Sequence, residues 1–369
     1  MVRYIPLELV HLIASSALVL DRDSSKEDRR ARFALAKSLS LVCREWRHVG
    51  QAALFRKVYL YPGQPNHKFL RTRQHHLLSH VRELDVEADA GSARLDSKIS
   101  RCRRDCDKLR RVRLLGQGAF SAWFSPASKV SPAESVVEVI LLMASFKQDW
   151  IADMSAAMSG SRQFPNARDV SLVVSSTSHV ATFPDFQGST LWAAVSSLQL
   201  VVDLPVGPHG SLMRALPHVF PIGNLTIFIL SIARASTALC PILREATALE
   251  ILNIGVAAHE LSSFALGMAP ALAVMSRLGA LSIRPYTRNA RSGGRQPLLP
   301  SFLAKLPLSL AIADLDLTIT VGARTAFEAF LAQRLQSTLA SCTTTRLGSD
   351  EAETWNKVER DGTSVWERE

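Results

Sequence analysis

Three histidines, His75, His76 and His80, stand close together in this chain. His76 and His80 stand four residues apart, the spacing that shares one face of a helix. A zinc-protease helix carries a glutamate between its two histidines; here none stands between them, and no third ligand follows nearby. The three read as ordinary loop or helix residues. Cys102 and Cys106 are also four apart, but no second Cys or His pair lies at zinc-finger spacing, so they read as two thiols on one helical face. Gly116-Gln117-Gly118 is a fragment of a phosphate-binding loop that lacks both the Lys-Ser/Thr ending and the signals of a following helix. No Gly-x-Ser-x-Gly elbow supplies a nucleophile, and acidic residues are sparse and unclustered in the repeats described below. The expectation is a protein that is not an enzyme, with no catalytic residues, no metal and no cofactor.

The 369 residues are 47% hydrophobic and 21% charged, the composition of a folded chain. No apolar run of eighteen residues free of charge suggests a membrane span. Leu7 to Leu20 has the look of a signal-peptide core, but Pro6, Glu8 and His11 interrupt it and no small-residue cleavage site follows. Five scattered cysteines, an odd number, suit reduced thiols, and the expected location is cytoplasmic or nuclear.

The elements that would position any site are announced by a repeat. Ten apolar-x-x-apolar-x-apolar triplets run along the chain. They are Phe55/Val58/Leu60, Val81/Leu84/Val86, Leu109/Val112/Leu114, Val136/Val139/Leu141, Ala167/Val170/Leu172, Val195/Leu198/Leu200, Ile222/Leu225/Ile227, Leu249/Leu252/Ile254, Leu278/Leu281/Ile283 and Ile312/Leu315/Leu317. Their spacing, between 26 and 34 residues, is close to that of leucine-rich repeats. Each triplet has the period of two expected of a strand, and about twenty residues then return the chain, mostly as helix: Lys98 to Lys108, Ala144 to Met158 and Ser262 to Met275. Thr325 to Leu339 reads as the last return helix. Beyond it, Asp361-Gly362 between Trp355–Val358 and Ser364–Glu367 is a two-residue hairpin turn that sets Val358 opposite Val365 and Lys357 opposite Trp366.

The first 55 residues differ. Leu7 to Leu20 is apolar nearly all round, Asp21 to Arg32 is a charged loop or helix extension, and helices are expected over Phe33 to Val42 and from about Cys43 to Leu54. Three such helices cannot bury that apolar surface among themselves, so part of it must meet the repeats or another protein. Ile5-Pro6-Leu7-Glu8-Leu9, then Ile13, then Leu39-Ser40-Leu41-Val42-Cys43-Arg44-Glu45-Trp46-Arg47, resembles an F-box. The continuation through Leu54 to Leu60 is similar to the helix-to-strand join of fungal F-box-like proteins with irregular leucine-rich repeats. The match covers about residues 4–55 and departs from the family pattern at Ile5 and in the charged insert 21–32.

The resemblance implies the substrate-recognition subunit of a cullin–RING ubiquitin ligase of the SCF type. Pro6, Leu7, Leu9, Ile13, Leu41 and Val42 would contact a Skp-type adaptor, Cys43 and Trp46 would lock the box core, and the repeats would hold an unknown protein substrate. The other reading is a repeat scaffold whose degenerate box is an inert cap. The expected fold is α/β, with a helical F-box-like domain at 1–54, a solenoid of about ten strand-helix repeats at 55–340, and a tail with a β-hairpin cap at 341–369.

Charge is uneven: residues 1–130 hold 25 Lys and Arg against 13 Asp and Glu. The stretch Arg101 to Arg113 is the densest part, and its alternation puts Leu109, Val112 and Leu114 inside and Arg110, Arg111 and Arg113 outside. With no aromatic platform among these bases, a solvated repeat face is favoured over nucleic acid as partner. The basic, glycine-rich loop 284–300 reads as a surface insertion.

Overall fold

The computed structural model describes residues 12, 26–42, 44–61, 75–88, 99, 101–124, 132–145, 163–176, 192–203, 209–232, 239–257, 260–286, 300–318, 321–345, 352–360 and 363–368. The chain is mixed α/β and divides into two compact units, residues 1–140 and 141–369.

The first unit opens with helices α1 (Lys26–Val42) and α2 (Arg44–Phe55). They pack closely at Gly50, where a Cβ would stand 2.6 Å from the Ala36 carbonyl oxygen and 2.6 Å from the Ser40 nitrogen. Ala36 and Val49 are buried. The charged segment from Lys26 to Arg32 is thus helical and continues into α1 rather than looping away. Of the expected first helix only Leu12 is described, and it is helical and exposed.

Strands β1 (Lys57–Leu60), β2 (Glu83–Glu87) and β3 (Arg111–Leu115) follow in parallel, and β4 (Glu138–Ser145) begins at the end of this unit. The short α3 (His75–Leu78), helical residues 101–105 and α4 (Gln117–Phe124) lie between them in the chain. In the second unit β5 (Asp169–Ser176), β6 (Ser197–Asp203), β7 (Ile227–Ile232), β8 (Ile251–Val256), β9 (Ala280–Pro285), β10 (Ile312–Thr318) and β11 (Ser341–Thr345) are parallel neighbours in chain order. Helices α5 (His209–Val219), α6 (Leu239–Glu245), α7 (Leu261–Leu272), α8 (Pro300–Leu303) and α9 (Val321–Arg334) connect β6 through β11.

One hydrogen-bond device recurs at the strand entrances. A single carbonyl accepts from two successive amides of the next repeat: Arg56 from Arg82 and Glu83, Arg82 from Arg110 and Arg111, Thr226 from Glu250 and Ile251, Gly279 from Ala311 and Ile312. The residue three before each inward strand position turns the chain with its own carbonyl, as Cys106 does for Leu109, Trp192 for Val195 and Met275 for Leu278. These turn residues are buried, and Phe164, Trp192 and Phe220 stack with centroids 6.1 and 6.3 Å apart. Satisfying the entrance amides this way fixes each strand against its predecessor without a turn asparagine.

Most of the expected triplets point inward as read, but two do not. At β7 the buried residues are Leu225, just before the strand, and Phe228, Leu230 and Ile232 within it, and Ile227 faces outward; at β10 they are Leu310, just before the strand, and Ala313 and Leu315, and Ile312 is 52% exposed. Both strands offered more than one apolar frame, and the side chains that fit the core at those points are a larger Phe228 and a smaller Ala313. An eleventh parallel strand, β11, follows Leu339 and buries Cys342 and Thr344 where the pattern holds large apolar residues.

Three other expectations change. A helix does follow Gly116-Gln117-Gly118. Ala144 and Ser145 end β4, so the return helix expected over Ala144 to Met158 does not begin there; residues 146–162 lie outside the described residues. The last return helix begins earlier and stops at Arg334, with Phe327, Phe330 and Leu331 buried. At the C-terminal end β12 (Ala352–Arg360) pairs antiparallel with β11 and with β13 (Thr363–Arg368), with Val358 opposite Val365 and Lys357 opposite Trp366, the register read from the sequence. Trp366 anchors the hairpin by donating its indole N–H to the Leu331 carbonyl at 2.7 Å.

Candidate interaction surface

Alternation along each strand leaves one set of side chains for the core and one for the opposite face, and the parallel register lines the second set up in rows. In the first unit the row at the strand entrances carries Lys57, Glu83, Arg111 and Glu138, one per strand and alternating in sign. Lys57 Nζ lies 3.9 Å from Glu83, Arg111 lies 3.9 Å from Glu83 and 3.4 Å from Glu138, and Arg56 adds a contact to Glu83 at 3.7 Å.

The next row holds Tyr59, Asp85 and Arg113. Asp85 is 3% exposed although it points away from the apolar core, and its Oδ2 lies 3.2 Å from Lys57 Nζ and 3.9 Å from Arg113 Nη1. Burial, the largest single influence, pulls the Lys57 ammonium toward a lower pKa, but the charges and hydrogen bonds of Asp85 and Tyr59 together outweigh it, and the net direction is upward. The same ammonium sits 4.8 Å from the Tyr59 ring centroid, and Tyr59 stacks on Tyr61. Burial, then the charges of Asp85 and Glu87, raise the Tyr61 phenol. This face is crowded with charge that is spent on itself.

Much of the basic stretch is spent in the same way. Arg101 and Arg104 both pair with Asp105, at 3.3 and 3.2 Å. Arg103 is buried, donates to the Trp123 carbonyl at 3.1 Å and stacks 5.2 Å from that indole. Arg111 and Arg113 join the rows above, which leaves Lys108 and Arg110 exposed. The glycine pair forms no phosphate cradle either. Gly116, at φ +86°, brings the chain against Ala88, and the amides of Gly118 and Ala119 are consumed by the Ala88 carbonyl at 2.9 and 3.3 Å. A Cβ at Gly116 would stand 2.5 Å from that same oxygen.

The second unit's strand face is of a different kind. Its entrance row runs Asp169, Ser197, Ile227, Ile251, Ala280, Ile312 and Ser341. Ile251 is 41% exposed, Ile312 52%, and Leu308, in the turn before β10, 75%. The row behind it holds Ser171, Gln199, Ile229, Asn253, Ser282, Asp314 and Thr343. Ser171 donates to Gln199 at 3.2 Å, and Asp314 accepts from Arg284 at 2.7 Å and from Ser282 at 3.3 Å. Thr226 lies at the rim of this surface, with its hydroxyl donating to the Ser196 carbonyl.

A third surface is helical. Leu41 and Val42 at the end of α1 are 75% and 66% exposed, and Phe33 and Leu35 on the same helix are exposed as well. Trp46 in α2 is half-buried. Pro6, Leu7, Leu9, Ile13 and Cys43 lie outside the described residues.

No chemistry gathers around the remaining candidates. His80 is half-buried at the end of the α3 turn, and the side chains of His75 and His76 are outside the description. Among the described residues no three His, Cys, Asp or Glu side chains are grouped to hold a metal. The thiols of Cys102, Cys106 and Cys342 are free and buried, and burial pushes Cys342 up to about 12, far from nucleophilic thiolate character. No helix among the described residues is long and apolar enough to cross a membrane. No family model matches the chain, and no curated protein matches it.

Proposed function

We propose that this protein is a non-enzymatic substrate receptor of an SCF-type ubiquitin ligase, with its N-terminal helices docking on a Skp-type adaptor and its strand rows holding a protein. The observation that carries the reading is the exposure of Leu41 and Val42, two large apolar side chains left in water directly before the Arg44-Glu45-Trp46 start of α2. Large apolar side chains exposed on a helix that also exposes Phe33 and Leu35 are costly in a free monomer, and they mark a surface that expects a partner. They belong to the very segment that resembles an F-box. The receptor would supply position only, raising the effective concentration of its cargo beside a reactive thioester held elsewhere in the assembly.

The inert-cap reading draws support from α1 itself, because the charged insert adds two turns of helix where the family pattern has a short connection. Co-purification of the intact chain with its host's adaptor separates the two. Capture by the wild type, lost in both Leu41→Asp and Val42→Asp while circular dichroism is unchanged, is the expected result. A folded wild-type chain that captures no adaptor would overturn the receptor reading in favour of the cap.

A further inference from the structure

The outward apolar row of the second unit is not needed by the fold. Its members occupy positions where the other strands carry Asp169, Ser197 and Ser341, and the core triplets beneath them are complete without them. Ile227 and Ile312 continue the apolar triplets of the sequence yet face outward, so the chain carries more apolar residues in these strands than its core uses. The excess is concentrated in one place, across β7, β8, β9 and β10, with Leu308 at its end.

Three features of the row specify what fits it. The first is charge. Between Ser197 and Ser341 the entrance row has no charged member, and the one charged side chain in the row behind it, Asp314, is bonded to Arg284. An occupant bringing its own charge to this row would desolvate it without a counter-ion. The second is pitch. Neighbouring strands lie about 4.8 Å apart, which is near the roughly 5–6 Å between same-face residues on a helix. An extended peptide laid along the row repeats its same-face side chains at roughly 6.8 Å and falls out of step. The third is relief. Ala280 stands between Ile251 and Ile312, so the row reads large, large, small, large and leaves a notch one side chain wide.

We propose that this row seats an amphipathic helix of the bound protein, uncharged along the contacting stripe, with one large apolar side chain in the notch over Ala280. The proposal rests on the receptor reading for the identity of the partner as cargo, and names the chemical class of that cargo. The flanking hydroxyl and amide groups of Ser197, Asn253, Ser282 and Thr343 form the polar rim that such a helix-on-sheet contact requires.

The test uses the intact chain and a labelled synthetic peptide that places Leu at i, i+4, i+7 and i+11 on an otherwise Ala/Gln helix, beside a scrambled peptide of equal composition. Fluorescence anisotropy is expected to show at least tenfold tighter binding of the striped peptide. That preference should vanish in Ile312→Asp, whose side chain is half in water and whose replacement spares the core, and in Ala280→Trp, which fills the notch. Equal binding of the two peptides, or a preference that survives both substitutions, would overturn the proposal. So would a peptide-free wild-type chain that sediments as a dimer and becomes a monomer in Ile312→Asp, because the row would then be an interface between copies. Adaptor capture by the same variants is measured in parallel. Capture without peptide preference sinks this inference alone, and peptide preference without capture sinks the receptor reading alone.

Discussion

The strand faces of the two units are built on the same alternation and come out chemically opposite. The first unit fills its rows with Lys57, Glu83, Arg111, Glu138 and Asp85, and each charge finds its partner one strand away. The second fills most of the corresponding entrance row with Ile227, Ile251, Ala280 and Ile312, and leaves two of them about half in water. A face whose charges are mutually satisfied holds the repeats together and has little left to offer a partner. A face that keeps apolar side chains exposed gives up nothing structural by being covered. The difference assigns cohesion to one face and recognition to the other, although both descend from one repeat pattern.

That contrast can be broken by substitution. The largest effect expected is Asp85→Ala, which strips the counter-charge from Lys57 and Arg113 around a buried site and should cost about 2–3 kcal/mol of unfolding free energy in denaturant melts. Ile251→Ser on the other face should stay within roughly 0.5 kcal/mol of wild type. Similar losses at the two positions would erase the distinction. The second unit keeps a buried charge on its helix side instead, where Arg334 donates to the carbonyls of Leu306 and Pro307 and lies over Phe330. Arg334→Met should lose about 2 kcal/mol, since two carbonyls are left without donors.

A gain comes next: Thr344 is buried with a hydroxyl that has no hydrogen-bond partner, so Thr344→Val should add about 1 kcal/mol. The smallest effect sharpens the picture most. A double-mutant cycle between Arg111 and Glu138, both partly exposed, should give a coupling of about 0.5 kcal/mol that falls toward zero in 1 M salt. A coupling indifferent to salt would mean that the ladder is held by packing rather than charge.

How much of this was legible in the residues varies with the kind of question. Leu109, Val112 and Leu114 announce their burial because strict alternation over a short strand admits one frame. The hairpin register is equally direct, since a two-residue Asp-Gly turn leaves no freedom in pairing Val358 with Val365. Ile227 and Ile312 misled because apolar residues stand at several offsets around them, and a frame cannot be chosen until the neighbouring strand selects it. Strand β11 was missed because its inward positions are Cys342 and Thr344, a weak signal for a strand that the pairing on both sides makes. The close approach at Gly50 had no signal at all, because it depends on how two helices cross. The segment with the F-box resemblance is the reverse case: its motif was readable in the sequence, yet five of the residues it implicates lie outside the described structure.

By itself the sequence determined the repeat, its strands and most of the residues that face inward, because burial of an alternating pattern is a local property of each segment. Only the tertiary structure decided which charges meet, that the basic stretch is largely neutralised by Glu83, Asp85, Asp105 and Glu138, and that an apolar row survives on the outside of β7 to β10. Those outcomes depend on residues about one repeat apart in the chain being brought to one strand spacing in space. Return segments of unequal length set that alignment, and no single repeat contains it.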